Sequence, residues 1–181
     1  MTIPFDADAM LFIQEQVRNG FLTPIMKAMS FLGDAGMLWI AIGIIMLFFP
    51  RFRRSGIFML TCLALATLVN NLVIKELVAR PRPYTDIAEL TVLIKPLDSF
   101  SFPSGHSCSS FASATALALT VKKRGALAFI PAALIAFSRV YVGVHYPSDV
   151  LVGAAVGALV SIVLYLLLKK RYFSDPAQGR K

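Results

Sequence analysis

Long apolar runs, broken by short basic or proline-rich stretches, set the pattern of this chain. Residues 1 to 20 place Phe5, Ala9, Leu11, Phe12, Ile13 and Val17 among polar partners, the spacing of a short amphipathic helix lying at an interface. Residues 21 to 32 are apolar but short and carry Pro24 and Lys27, so they read as an entry helix, and whether they span the membrane stays open. The first clear span runs from Asp34 to Phe49 and is ended by Pro50 and the basic stretch Arg51 to Arg54. Ser55 to Ile74 follows, twenty residues without a charge and long enough to cross a hydrocarbon layer of roughly 30 Å.

Residues 80 to 103 read as a loop punctuated by Pro81, Pro83, Pro96 and Pro103. A third span starts near Ser104 and runs to Val121; its Ser, Ala and Gly content suits close packing inside a bundle. A fourth covers Gly125 to Val142, with Arg139 near its end, and a fifth runs from Pro147 to Leu168 with the proline in its first turn. Gly153 and Gly157 give the fifth span a small-residue face, read as a packing surface within the bundle and not as a dimer contact. The expected fold is all-α, a polytopic transmembrane helix bundle of about five to six spans plus an N-terminal amphipathic helix. The chain, 1–181, is expected to form a single membrane domain: interfacial and entry helices over 1–32, the bundle over 33–169 and a cytoplasmic tail over 170–181.

Composition agrees, since 57% of the 181 residues are hydrophobic and 15% charged, which excludes an ordinary soluble domain. The formal charge of +8 changes the picture only through its placement. Eleven of the 18 Lys and Arg residues lie in three clusters: Arg51, Arg53 and Arg54; Lys122, Lys123 and Arg124; and Lys169, Lys170, Arg171, Arg180 and Lys181. Each cluster abuts an apolar run, as cytoplasmic loops do under the positive-inside rule. Phe52, between Arg51 and Arg53, is the one aromatic residue flanked on both sides by clustered charges, too little interleaving for a nucleic-acid surface, so nucleic acid is not expected as a partner. Counting spans puts these clusters on the cytoplasmic side of the inner membrane. Lys75, Arg80, Arg82, the stretch Pro103 to His106, Arg139, His145 and Asp149 fall on the other side. Cys62 and Cys108 lie in apolar segments and read as packing residues. Asp6 and Asp8 stand where a signal peptide carries lysines, so no cleaved targeting segment is expected.

The chemistry is concentrated on that second face. Lys75, Arg82 and Arg139 are three cations at one membrane depth, and such a group requires an anion between its members; Arg offers a planar fork for phosphate oxygens and Lys a point charge. Ser104 and Gly105 open a helix, whose first N–H groups and dipole favour an anion, and glycine lets the backbone come close. Together they describe a phosphoryl cradle. His106 and His145 are the two histidines of the chain, and both lie beside it. Asp149, four residues after His145, can hold one imidazole nitrogen and leave the other free as a nucleophile. His106 is then placed to protonate the departing oxygen. Arg80 reads as a headgroup or loop contact, Glu76 has no assigned direction, and Asp86, Glu89 and Asp98 read as a solvated loop without metal-ligand spacing.

Lys75 with six residues before Arg82-Pro83, then Pro103-Ser104-Gly105-His106, then Ser138-Arg139 with five residues before His145 and three more before Asp149, form a three-part signature. On it, the chain resembles the type 2 phosphatidic acid phosphatase family. The resemblance implies a metal-independent lipid phosphatase without a cofactor, with His145 as the nucleophile that is phosphorylated, Asp149 as its partner and His106 as the general acid. Lys75, Arg82, Ser104, Gly105 and Arg139 would bind the phosphate. The implied partners are the bilayer and a lipid mono- or diphosphate, with undecaprenyl diphosphate the expected substrate and phosphatidylglycerophosphate or phosphatidate the alternatives. An anionic-lipid transporter using the same cations is the rival of another class, and the state of assembly stays open.

Overall fold

The computed structural model describes residues 4–169, so the expected tail over 170–181 lies outside the described residues. The described residues form helices and connecting turns, with no strand among them. Helix α1 (Pro4–Phe12) continues as a π-helical turn over Ile13–Val17. Helices α2 (Leu22–Gly33) and α3 (Met37–Leu47) meet at a kink, where Ala35 (φ 50°) and Gly36 (φ 72°) are both left-handed. Leu22–Leu47 is together a 26-residue stretch, about 39 Å long at helical rise and apolar enough to cross a membrane. The first candidate span therefore runs from Leu22, with helix α2 continuing into α3 across the kink. Pro24 is tolerated because it sits in the first turn of α2, where N–H groups have no intrahelical partner. Lys27 is exposed, and its stem can carry the charge toward the interface.

Helix α4 (Pro50–Leu68), with proline at its first position, runs through a π-helical segment, Val69–Ile74, into α5 (Lys75–Val78). A left-handed Ala79 (φ 47°) turns the chain, and the expected loop contains a single turn of helix, α6 (Pro83–Asp86). Helices α7 (Gly105–Val121), α8 (Phe129–Tyr141) and α9 (Pro147–Leu168) complete the bundle. Four stretches are long and apolar enough to cross a membrane: Leu22–Leu47, Pro50–Asp86, Gly105–Tyr141 and Pro147–Leu168. The third folds back on itself at Lys122–Ala128. Phe111 meets Phe129 at 5.8 Å, while Ile135 and His106 both abut Gly33, so α7 and α8 run antiparallel and the chain passes five times.

Helix α7 is the central post, buried along Ser107 to Ser110 and Ala112 to Leu117. Its small residues let neighbours approach to backbone distance, which matters in lipid, where helices associate by packing and hydrogen bonds and not by exclusion of water. Helix α9 meets it with Gly153, Gly157 and Ser161. A Cβ on Gly157 would lie 2.1 Å from the Cys108 carbonyl oxygen, and one on Gly153 2.5 Å from that of Ser104. Ser161 Oγ donates to the Ala112 carbonyl at 2.8 Å. The small-residue face is used inside the bundle. Further along, Trp39 is fully buried with Phe58, Met59, Cys62 and Ile135, and its Nε1 donates to Ser110 Oγ at 2.9 Å. Large side chains such as Leu72, Ile130, Leu151 and Leu167 point outward, the arrangement expected where lipid is the solvent. Helix α1 lies across the end of the bundle that holds the N-termini of α7 and α9, with Met10 packed against Ile87, Leu90, Val140 and Tyr146.

The α7–α9 contact has a direct test. Gly157→Ala forces a methyl group into backbone and should destabilise the detergent-solubilised protein by about 2 kcal/mol or more. Gly20→Ala, with nothing within 4 Å of the added carbon, should be neutral. Equal thermal melting of the two variants contradicts this packing.

Candidate active site

Two helix N-termini stand side by side at one end of the bundle. Ser104 caps α7: its Oγ accepts from the Ser107 N–H at 3.4 Å and from Ser107 Oγ at 3.1 Å. Its own N–H donates to the Asp149 carbonyl at 3.0 Å, which ties the start of α7 to the first turn of α9. In that turn the Asp149 side chain reaches back to the Tyr146 N–H at 3.0 Å, half of a capping box, so the local rules that start α9 also aim this carboxylate.

His145, 2% exposed, is placed by that turn with Nδ1 3.5 Å from Asp149 Oδ2 and 3.4 Å from Ser101 Oγ. The Ser101 hydroxyl donates to the same Asp149 oxygen at 2.5 Å. On the other side of the ring, Nε2 lies 3.4 Å from Arg82 Nη1. A guanidinium only donates, so Nε2 is the accepting nitrogen and the ring proton sits on Nδ1, toward Asp149. Burial lowers the His145 pKa to about 3; hydrogen bonding to Asp149 opposes the shift and the Arg82 and Arg139 charges reinforce it. The imidazole is neutral at physiological pH, with a lone pair on Nε2.

The three expected cations line one cavity with His145. Lys75 Nζ donates to the Phe100 carbonyl at 3.0 Å. Arg82 donates to the carbonyls of Ser99 (2.7 Å), Val144 (2.8 Å) and Phe100 (3.2 Å) and to Ser99 Oγ (3.0 Å). Arg139 Nη1 donates to Ser30 Oγ, and its Nε is buried without a partner among the described residues. All three side chains are buried, and among the described residues none is ion-paired with a carboxylate. Their partners are backbone and hydroxyl dipoles, which solvate positive charge without cancelling it.

His106 stands opposite, one residue into α7. Its Nε2 lies 2.9 Å from Asp34 Oδ1 and 3.2 Å from the Ser30 carbonyl. Both neighbours accept, so Nε2 carries a proton here. Asp34 reaches the ring because the left-handed kink at Ala35 and Gly36 interrupts the first span at this depth. A cavity of about 750 Å³ joins these groups. Lys75, Arg82, Gly105, His106, Arg139 and His145 line its polar end; Ile40, Leu60, Leu63, Ala64, Leu68 and Leu72 wall the rest. A Cβ on Gly105 would meet Asn71 Oδ1 at 3.5 Å and Asn70 Nδ2 at 4.0 Å, both ordinary contacts, so no protein atom requires glycine there, and its bare backbone leaves the cavity side clear. Ser104 and Asp149 stand behind the lining: the Ser104 N–H and hydroxyl are spent on Asp149 and on capping, not directed at the cavity.

One sequence expectation is corrected. Arg80 is not a headgroup or loop contact. The left-handed turn at Ala79 swings it back into the bundle, where Nη1 is 2.7 Å from Asp149 Oδ1 and Nη2 is 2.8 Å from Asp6 Oδ2. Asp6, Ser101 and Asp34 were not singled out for this site. Asp34 left a signal, a carboxylate inside the apolar stretch from residue 21 to residue 49. Ser101 and Asp6 left none, since loop serines and acids in surface helices are ordinary. Glu76, Glu89 and Asp98 are exposed; Asp86 is exposed as well but accepts from the Tyr146 hydroxyl at 3.2 Å. Among the described residues no three His, Cys, Asp or Glu side chains are grouped to hold a metal ion.

The family model described as the PAP2 superfamily matches residues 55–173. The chain is similar to an undecaprenyl-diphosphatase of Sulfolobus acidocaldarius, 35% identical over 139 residues that cover 75% of this chain and 66% of that protein. Its fold is similar to the crystal structure of Aquifex aeolicus LpxE, with a TM-score of 0.78 at 26% identity over 89% of this chain and 94% of the other. It is also similar to the first transmembrane PAP2 type phosphatidylglycerolphosphate phosphatase from Bacillus subtilis, with a TM-score of 0.70 at 29% identity, covering 94% and 86%. The chain belongs to the PAP2 superfamily and is a membrane protein that hydrolyses phosphoric esters.

Proposed function

We propose that this enzyme removes phosphate from a lipid diphosphate at the extracytoplasmic face of the cytoplasmic membrane, through a phosphohistidine at His145. One observation carries the reading: three buried cations without a carboxylate partner sit at the polar end of a cavity whose remaining walls are apolar. Uncompensated buried charge is costly, and a phosphoryl group among the three relieves that cost. The apolar walls, from α3 and α4 with its π-helical continuation, take the first part of a lipid chain. Ile40, Leu68 and Leu72 on those walls are exposed, which supports a lateral way out for the lipid chain into the bilayer.

The reaction follows from the placement of the groups. His145 Nε2 attacks phosphorus with its lone pair, and the bond from phosphorus to the leaving oxygen breaks. That oxygen keeps the bonding pair and takes a proton from His106, whose ring Asp34 orients. The His145 ring becomes cationic, and Asp149 holds its Nδ1–H and offsets the charge. Lys75, Arg82, Arg139 and the backbone at Gly105 hold the phosphoryl oxygens and offset their charge without a metal. Water then attacks phosphorus and gives a proton to His106, the N–P bond breaks with its pair returning to His145 Nε2, inorganic phosphate leaves, and His145 is neutral again.

Undecaprenyl diphosphate as substrate is supported by the similarity to a protein named undecaprenyl-diphosphatase. Phosphatidylglycerophosphate is the second reading, supported by the likeness to the Bacillus subtilis structure. A transporter needs the cations but not an oriented imidazole, so the His145–Asp149 pair favours the enzyme. The basic clusters at 51–54 and 122–124 support an extracytoplasmic site.

Orientation is tested by single cysteines at Asp98 and Lys123, both exposed, with Cys62 and Cys108 buried. An impermeant maleimide should label position 98 in intact cells and not position 123; the opposite pattern removes the extracytoplasmic site. The two histidines are separated by leaving group. With a chelator present, which should leave the wild-type rate unchanged, His106→Ala should lower kcat/KM about 10²- to 10⁴-fold on a lipid monophosphate. It should lower it clearly less on p-nitrophenyl phosphate, whose leaving group needs no proton. His145→Ala should abolish both activities, with Asp149→Asn between the two. Equal loss on both substrates for His106→Ala, or residual turnover in His145→Ala, overturns these assignments.

A further inference from the structure

The arrangement behind His145 contains more charge than orienting an imidazole requires. Asp6, from α1, is fully buried beside the first turn of α9: its Oδ1 accepts the Ser148 N–H at 3.0 Å and its Oδ2 accepts the Ser148 hydroxyl at 2.5 Å. Between Asp6 and Asp149 lies Arg80, bonded to both carboxylates and to Ser148 Oγ at 2.8 Å, its guanidinium carbon 3.9 Å above the Tyr146 ring. The chain is continuous: Asp6, Arg80, Asp149, His145. Resting on the reading that His145 is the nucleophile, we propose that Asp6 and Arg80 are positioning residues for the phosphoryl transfer, Asp6 acting by keeping the negative charge of Asp149 available to His145.

Charge balance among these groups bears on the reaction, because Asp6 and Asp149 are fully buried and Arg80 is only 10% exposed. Arg80 paired with Asp149 alone would be a neutral couple, with the carboxylate's charge already offset when the imidazolium forms. Asp6 shares Arg80, so the three groups together carry one negative charge while His145 is neutral. When Nε2 bonds to phosphorus the ring gains one positive charge, and the four groups then sum to zero. Without Asp6 the same step leaves a net positive charge beside Lys75, Arg82 and Arg139. At low effective dielectric such an imbalance acts on the rate and not only on the fold. Arg80 has a second role: it bridges Asp149 Oδ1 and leaves Oδ2 to Ser101, Tyr146 and His145, which fixes the rotation of the carboxylate.

The competing account is mechanical, with Asp6 only anchoring α1 to α9. Asp6→Asn separates the two, because asparagine keeps the acceptor for the Ser148 N–H and removes the charge. The full-length protein is assayed in detergent with a lipid monophosphate and with p-nitrophenyl phosphate, and phosphoenzyme formation is timed by rapid quench. Asp6→Asn should lower kcat and the phosphorylation rate about 10- to 100-fold, equally on both substrates, with KM changed less than about threefold and thermal melting nearly unchanged. Asp6→Glu should recover most of that loss. Ser148→Ala, which weakens the anchor and keeps the charge, should lose clearly less than Asp6→Asn. Wild-type phosphorylation rates in Asp6→Asn, a loss that follows melting temperature, or a chain that no longer folds would overturn the proposal in favour of anchoring. If wild type itself forms no phosphoenzyme, the underlying reading of His145 fails instead, so the two failures are distinguished.

Discussion

Asp149 is a carboxylate without access to solvent, and the end of the bundle that carries the site is arranged around keeping it paired. Its two oxygens receive the Ser101 hydroxyl, the Tyr146 N–H and Arg80, and stand beside His145 Nδ1; its carbonyl receives the Ser104 N–H. These donors come from the segment before α7, the α7 cap, the turn after α5 and the start of α9, and Arg80 extends the set to α1. Removing one partner of a buried charge typically costs about 3–5 kcal/mol. The same contacts that hold the segments together therefore aim His145. Stability and chemistry share a residue here.

The membrane imposes the second constraint. Lipid offers no partner for a polar group, so ionisable side chains at this depth must face inward and find dipoles or counter-charges there. Helix α7 makes this feasible because it is thin. Its serines and alanines let α9 come to backbone distance at Gly153 and Gly157, and that approach sets the α7 and α9 N-termini beside each other. Two helix starts in register supply positive dipole ends, and Lys75, Arg82 and Arg139 add full charges, so the region prefers an anion before any side chain moves.

Much of this was legible in the chain, for identifiable reasons. Helices in lipid are written as long apolar runs, and the five passes appeared as such. The residues grouped at the site lie in short motifs, where proline and glycine mark turns and a histidine or arginine stands out against apolar neighbours. The start of the first span was not legible, because Pro24 reads as a breaker and becomes harmless only once it falls in the first turn of α2. The kink at Ala35 and Gly36 depends on packing that no local pattern records. Asp6 and Ser101 were invisible for a different reason. Asp6 meets Ser148 across 142 positions and Ser101 meets Asp149 across 48, and neither residue type is unusual where it stands. Arg80 was misread because its environment is created by the turn at Ala79 and by a helix from the far end of the chain.

The central claim is that a neutral, buried imidazole at His145 accepts the phosphoryl group. The most direct measurement is to mix purified enzyme with a radiolabelled lipid diphosphate, quench in alkali within milliseconds and map the labelled peptide by mass spectrometry. The account predicts label on His145, stable to alkali and released by acid, appearing before free phosphate. Label on His106, on a serine or on a carboxylate, with turnover intact, would contradict it.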